Sequence, residues 1–232
     1  MKVRVGFTPG DQIAASLGVV IDVLRATSTI CQALAAGFER VICVNEVENA
    51  RALAGPGVAL AGERGNVRPD GFDFGNSPRE FAAGKSDATT LVLTTTNGTR
   101  LLLAAADRCE TVLVASLLNL DAVAAAVRGG GAGEVALLCA GVEGTFAIDD
   151  AYVAGALAEA LAGEPDDAAV AAMRLAAGFA SAEEGIGSGQ SADNIRRVGL
   201  EPDIPWCARR GVLDVVPRVV ARARTTVELA SG

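Results

Sequence analysis

Hydrophobic positions along the chain fall into short runs of two kinds, and the two kinds alternate. Lys2 to Phe7 alternates polar with apolar and predicts a strand. Gly18 to Leu24 is apolar apart from Asp22, the pattern of a strand buried on both faces. Thr29 to Ala36 then carries a helical period and stops at Gly37. Further strands are predicted at Arg40–Val44, Val58–Ala61, Leu91–Thr94, Thr111–Ala115 and Glu134–Cys139. Helical runs lie between them. One is capped by Asn45, with Glu48 placed for a capping box and Gly55 as its stop. Another opens on Ser77-Pro78-Arg79-Glu80, a second capping box with proline in the first turn. Thr99–Ala106, Leu120–Arg128 and Ile148–Leu161 complete the set.

This alternation predicts a three-layer α/β/α fold around a mostly parallel or mixed sheet. From Glu164 onward the pattern is largely helical, with a late strand near Val212–Val216. Residues 1–232 read as a single α/β domain, with one weak point of subdivision at Gly163–Asp167. Glu183–Asp193, rich in Gly and Ser, reads as a mobile loop.

In such sheets, ligands bind beyond the carboxyl ends of the strands. The polar residues collect there. After the second strand come Asp22, Arg25, Thr27 and Ser28. After the fourth come Glu63 and Arg64, then Asn76 and Ser77. Leu91–Thr94 is followed by Thr95, Thr96, Asn97 and Gly98. Glu134–Cys139 is followed by Glu143, Asp149 and Asp150. Hydroxyls and backbone N–H groups at a helix start can cradle an anion. Arginines clamp oxyanions, and carboxylates supply hard oxygen ligands for Mg²⁺. Each loop alone is also an ordinary helix cap or surface ion pair. Their recurrence after successive strands favours a metal-assisted phosphoryl site.

Composition narrows the chemistry. The chain contains no histidine, which removes Ser-His-Asp, Cys-His and His-ligated metal chemistry. Five scattered cysteines without a C-x-x-C pair suit reduced thiols in a cytoplasm, and Cys139 reads as a core thiol. A net charge of −8 with no basic block argues against nucleic acid. No apolar run is long enough for a membrane span. Gly84-Lys85-Ser86 resembles the end of a P-loop, but Arg79 stands where its first glycine belongs. Apolar content suggests a homodimer.

Seven segments together resemble the 2-phosphosulfolactate phosphatase family: "VVIDVLRATSTI", "GERG", "GFDFGNSP", "LTTTNGTR", "ASLLN", "LLCAGVEGTFAIDD" and "GLEPDIPWC". They occur in order from about Val19 to Cys207. The resemblance implies a Mg²⁺-dependent phosphohydrolase. Its substrate would be (2R)-2-phospho-3-sulfolactate, cleaved to 3-sulfolactate and phosphate in coenzyme M biosynthesis. On this reading Mg²⁺ sits between Asp22 and one or more of Glu63, Glu143 and Asp150. Arg25 and the nest at Thr95, Thr96, Asn97 and Gly98 stabilise the phosphoryl oxygens. Thr27 and Ser28 extend that nest. Arg64, Asn76 and Ser77 hold the carboxylate or sulfonate, and Asp22 or Glu63 orients the water. "SADNIRRVGLEPDI" departs from the family pattern at Asn194 and its arginines; if it covers the site, the organic part of the substrate differs. A phosphatase of another small phosphorylated 2-hydroxy acid, or a non-catalytic anion-binding module, remains open on the residues alone.

Overall fold

The structure is a computed structural model that describes residues 1–83 and 86–231; Gly84 and Lys85 of the P-loop-like stretch fall outside the described residues. One ten-stranded sheet organises them. Strands β1 (Lys2–Gly6), β2 (Ala15–Ile21), β6 (Cys109–Ala115), β7 (Glu134–Cys139) and the short β8 (Glu164–Pro165) pair in parallel in the order β6-β2-β7-β1-β8. Strands β3 (Arg40–Val44), β4 (Val58–Gly62) and β5 (Thr90–Thr94) form a second parallel group, β4-β5-β3. The antiparallel hairpin of β9 (Pro217–Ala223) and β10 (Thr226–Ser231) joins the groups. Its seam with β6 is a single residue pair, Leu113 with Arg218. The mixed sheet agrees with the α/β expectation.

Pairing through this hairpin gives the two parallel groups opposite senses. Their carboxyl-end loops nevertheless meet at one cavity. Sheet twist of roughly 20–25° per strand step accumulates across the junction and swings the groups toward each other. A register shift between Glu228 and Leu229 adds local bend.

Helices cover both faces because buried strands alternate their side chains. Val19 and Ile21 of β2 join one core; Val20 joins the other. The first core is closed by α5 (Leu120–Gly129), α6 (Ile148–Leu161) and α7 (Asp167–Ala177), with residues from α8 (Ala182–Gly187), α9 (Gln190–Arg197) and α10 (Asp203–Cys207). The second core holds α1 (Ala26–Ala35), α3 (Pro78–Ala83) and α4 (Gly98–Arg108) against strands from both parallel groups. Helix α2 (Val47–Ala52) caps a smaller third cluster.

Several expectations are corrected. The late strand is absent at Val212–Val216; the hairpin β9–β10 follows instead. Arg218 and Arg222 hid it, because most of β9 is solvent-facing and carries no apolar rhythm. Glu183–Asp193 is no mobile loop: it lies in α8, α9 and the turn between them. Gly163–Asp167 contributes edge strand β8, paired with β1. Neither capping box forms. Glu46, not Asn45, is the N-cap of α2, and Asn45 accepts from Asn49. The Ser77 hydroxyl turns away from its helix toward Asp203.

Candidate active site

Two helix N-termini define the site. Helix α1 leaves β2 directly after Arg25, and α4 leaves β5 directly after Asn97. The approach is close. A Cβ on Gly98 would lie 2.5 Å from Asp22 Oδ2 and 2.6 Å from Ala26 Cβ. Only a residue without a side chain fits there. Gly98→Ala is therefore expected to lower kcat/KM by about tenfold and to cost about 1–3 kcal/mol through overpacking. Steady-state kinetics and thermal melts would check both; wild-type values would remove the contact from the argument.

The resulting cavity, ≈ 110 Å³, is lined by Asp22, Arg25, Glu63, Asn66, Asn76, Thr95, Thr96 and Asn97, by Glu143, Asp149 and Asp150, and by Ser191 and Asn194 of α9. Buried polar groups ordinarily find hydrogen-bond partners. Among the described residues, four buried side-chain atoms lack one: Arg25 Nε, Asn76 Oδ1, Thr96 Oγ1 and Asp149 Oδ1. All four residues line this cavity. Arginine and threonine offer donors, and an amide can turn its NH₂ inward. The Asp149 oxygen is an acceptor. The cavity thus has a donor side for an anion and an acceptor side for a cation or proton.

Acidity is concentrated on the acceptor side. Burial, helped by the Glu63 charge, raises the Asp22 carboxyl to about 6, against the opposing effects of the Ala26 and Gly98 N–H groups and of Arg25. Burial raises Asp149 to about 7, with Asp22 adding to it and a Ser191 hydrogen bond opposing. Burial and the charges of Asp149 and Asp22 push Asp150 well above the carboxylate range. By contrast, burial pushes the Cys139 thiol well above its ordinary range, as suits a packed core thiol.

Residues 5–222 match the family described as 2-phosphosulpholactate phosphatase. The chain belongs to the 2-phosphosulfolactate phosphatase family. A probable 2-phosphosulfolactate phosphatase of Thermus thermophilus is 40% identical over 222 residues, covering 94% of each chain. One from Thermotoga petrophila is 38% identical over 220 residues, 94% of this chain and 95% of its own. The 2-phosphosulfolactate phosphatase of Methanothermobacter thermautotrophicus is 36% identical over 217 residues, 94% of this chain and 92% of its own.

Within this family member, the residues marked by sequence divide into those facing the cavity and those building it. Asp22, Arg25, Glu63, Asn76, Thr95, Thr96 and Asn97 face it. Thr27 does not: its hydroxyl donates to the Asp22 carbonyl and accepts from the Asp22 N–H. Ser28 donates to the Val23 carbonyl. Both hydroxyls brace the turn carrying Asp22. Arg64 is also committed, to the carbonyls of Glu63 and Asn45 and the Thr94 hydroxyl. Ser77 donates to Asp203, and the Gly98 N–H supports Asp22.

The carboxylates divide similarly. Glu63 accepts from the N–H groups of Asn66 and Thr96, tying the β4 loop to the β5 loop. Asp150 accepts from Val23 and Gly141, tying β2 to β7. Glu143 stands at the exposed rim in a left-handed turn, φ 53°. Asp22 and Asp149 keep the freest oxygens. Sequence reasoning marked Asp149 and Asn194, and both line the cavity, but it did not single out Asn66, Ser191 or Asp203. Asp149 was legible as part of an acidic pair, but only hydrogen bonding tells it from Asp150: both Asp150 oxygens accept backbone N–H groups, while Asp149 Oδ1 has no partner. Asn66, Ser191 and Asp203 arrive from distant elements with no local signal.

Proposed function

We propose that this protein is a phosphoric monoester hydrolase that removes phosphate from 2-phospho-3-sulfolactate, giving 3-sulfolactate and inorganic phosphate. The carrying observation is that every buried, unpartnered polar side-chain atom among the described residues belongs to one cavity at two converging helix N-termini. Family membership supplies the reaction class and the substrate name.

The donor side suits the phosphoryl group. Arg25 Nε–H, the Thr96 hydroxyl and the Asn76 amide line one cavity and have no other partner, so each is available to a phosphoryl oxygen. Such fixed donors stabilise charge that develops in the transition state. The neutral amides of Asn66, Asn97 and Asn194 suit the organic acid groups without adding charge.

The acceptor side suits Mg²⁺. Among the described residues, no three His, Cys, Asp or Glu side chains form a ready-made metal cage. Mg²⁺ needs less, typically one or two carboxylates completed by water and substrate oxygens. Asp22 and Asp149 meet that need, with Glu143 at the rim; Glu63 and Asp150 hold the loops that present them. Bound there, the ion would act as Lewis acid and template for phosphoryl oxygen and water. The five free, buried cysteines suit a reducing cytoplasm. Among the described residues no helix is long and apolar enough to cross a membrane.

The test is phosphate release from a panel of phosphorylated acids in Mg²⁺, scored by kcat/KM. The expected ranking puts 2-phospho-3-sulfolactate first and 2-phospholactate, which lacks the sulfonate, well below it. Equal turnover of the two would assign the enzyme to simpler phosphorylated 2-hydroxy acids, and no turnover of any would leave an anion-binding module.

A further inference from the structure

We propose that Asp203 is a positioning residue for Arg25, holding one edge of the guanidinium so that its Nε–H is presented to the cavity. The proposal rests on the phosphatase reading above. Arg25 Nη1 donates to Asp203 Oδ2 at 2.9 Å, with side chains 1% and 0% exposed. The other Asp203 oxygen accepts from the Ser77 hydroxyl at 2.7 Å. Arg25 Nη2 reaches Asn66 Oδ1 at 3.4 Å. Nε alone is buried without a partner, on a residue that lines the cavity. A guanidinium is planar, with its N–H groups in a fixed fork. Fixing the two Nη groups therefore fixes the direction of Nε–H.

Stability is a poor reason for this arrangement. Desolvating two charges commonly offsets most of their attraction, and an apolar pair often serves as well. Asp203 also neutralises Arg25, so the site presents one directed donor instead of a free cation. The carboxylate comes from 178 residues away, on short helix α10. It makes the C-terminal helices part of the site's geometry without touching substrate.

A double-mutant cycle tests this. Asp203→Asn is expected to lower kcat by about 10–100-fold, a share of what losing a whole oxyanion donor costs. KM should change little. In an Arg25→Ala background the same substitution should add no further loss, because its effect passes through Arg25. A full additional loss in that background would make Asp203 a structural staple and overturn the proposal; so would unchanged kcat in Asp203→Asn. Should Asp203→Asn fail to fold, Ser77→Ala runs the same cycle with a smaller loss in the same direction. Absence of wild-type phosphatase activity would strike the functional reading instead. Calorimetric binding of inorganic phosphate with Mg²⁺ present then carries the cycle, with additive losses again overturning it.

Discussion

Replacing Arg25 with alanine is expected to reduce kcat by about 10²–10³-fold, the usual consequence of losing one transition-state donor. The structure adds a second effect that the sequence does not reveal. Arg25 is the close partner of fully buried Asp203, with Arg79 3.9 Å from its other oxygen; breaking a buried pair from one side costs up to about 3–5 kcal/mol. The variant should thus be slow and also less stable. These effects separate in Arg25→Ala/Asp203→Asn, where no uncompensated charge is left. Its melting temperature should recover toward wild type while kcat stays low. Saturating-substrate kinetics and calorimetry on the two variants would decide. Near-full turnover by the single variant would remove Arg25 from the site.

A second large effect concerns pH. Without metal, stability should fall as pH rises from 5 to 8. In the folded state the Asp22 carboxyl titrates at about 6 and Asp149 at about 7, both raised from an ordinary 3.8. Between those values the folded protein holds protons that the unfolded chain has lost. Bound protons then favour the fold, and raising pH through about 6 and 7 withdraws the share held by these two groups. One pKa unit corresponds to about 1.4 kcal/mol, so the pair together is worth several kcal/mol. No histidine titrates in this window, and Asp150, raised well above its ordinary range by burial and by the charges of Asp149 and Asp22, acts in the same direction. Mg²⁺ at pH 8 should replace the protons and restore the melting temperature. Chelation should remove both that gain and phosphate release. A flat melting profile from pH 5 to 8, with no Mg²⁺ shift, would discard the acceptor side as a cation site.

Much of the fold was legible because its strands obey simple rules. β2 and β7 are buried on both faces and read as apolar runs, and Ile148–Leu161 matches α6 residue for residue. The hairpin was not legible. Its first strand, β9, is mostly solvent-exposed, so charge replaces the alternation that marks a half-buried strand. The opposite senses of the two parallel groups were equally hidden, since pairing between distant strands leaves no local trace. In the site, sequence found the loops but not the division of labour. Asp22 and Asp150 look alike as letters. One keeps an oxygen at the cavity, and the other spends both on backbone N–H groups of neighbouring strands. Thr27 and Thr96 are likewise both hydroxyls near helix starts, but only Thr96 is left without a partner.

The bridging hairpin has a consequence for birth on the ribosome. Every strand of both parallel groups emerges before β9 and β10 do. Until then β3 and β6 each expose an unpaired backbone edge, the kind of surface that recruits other nascent chains. The nascent protein therefore passes through an interval in which each half is largely assembled and neither is closed. That interval ends only when the hairpin pairs β10 with β3 and β9 with β6, so the last part of the chain to emerge closes both edges at once.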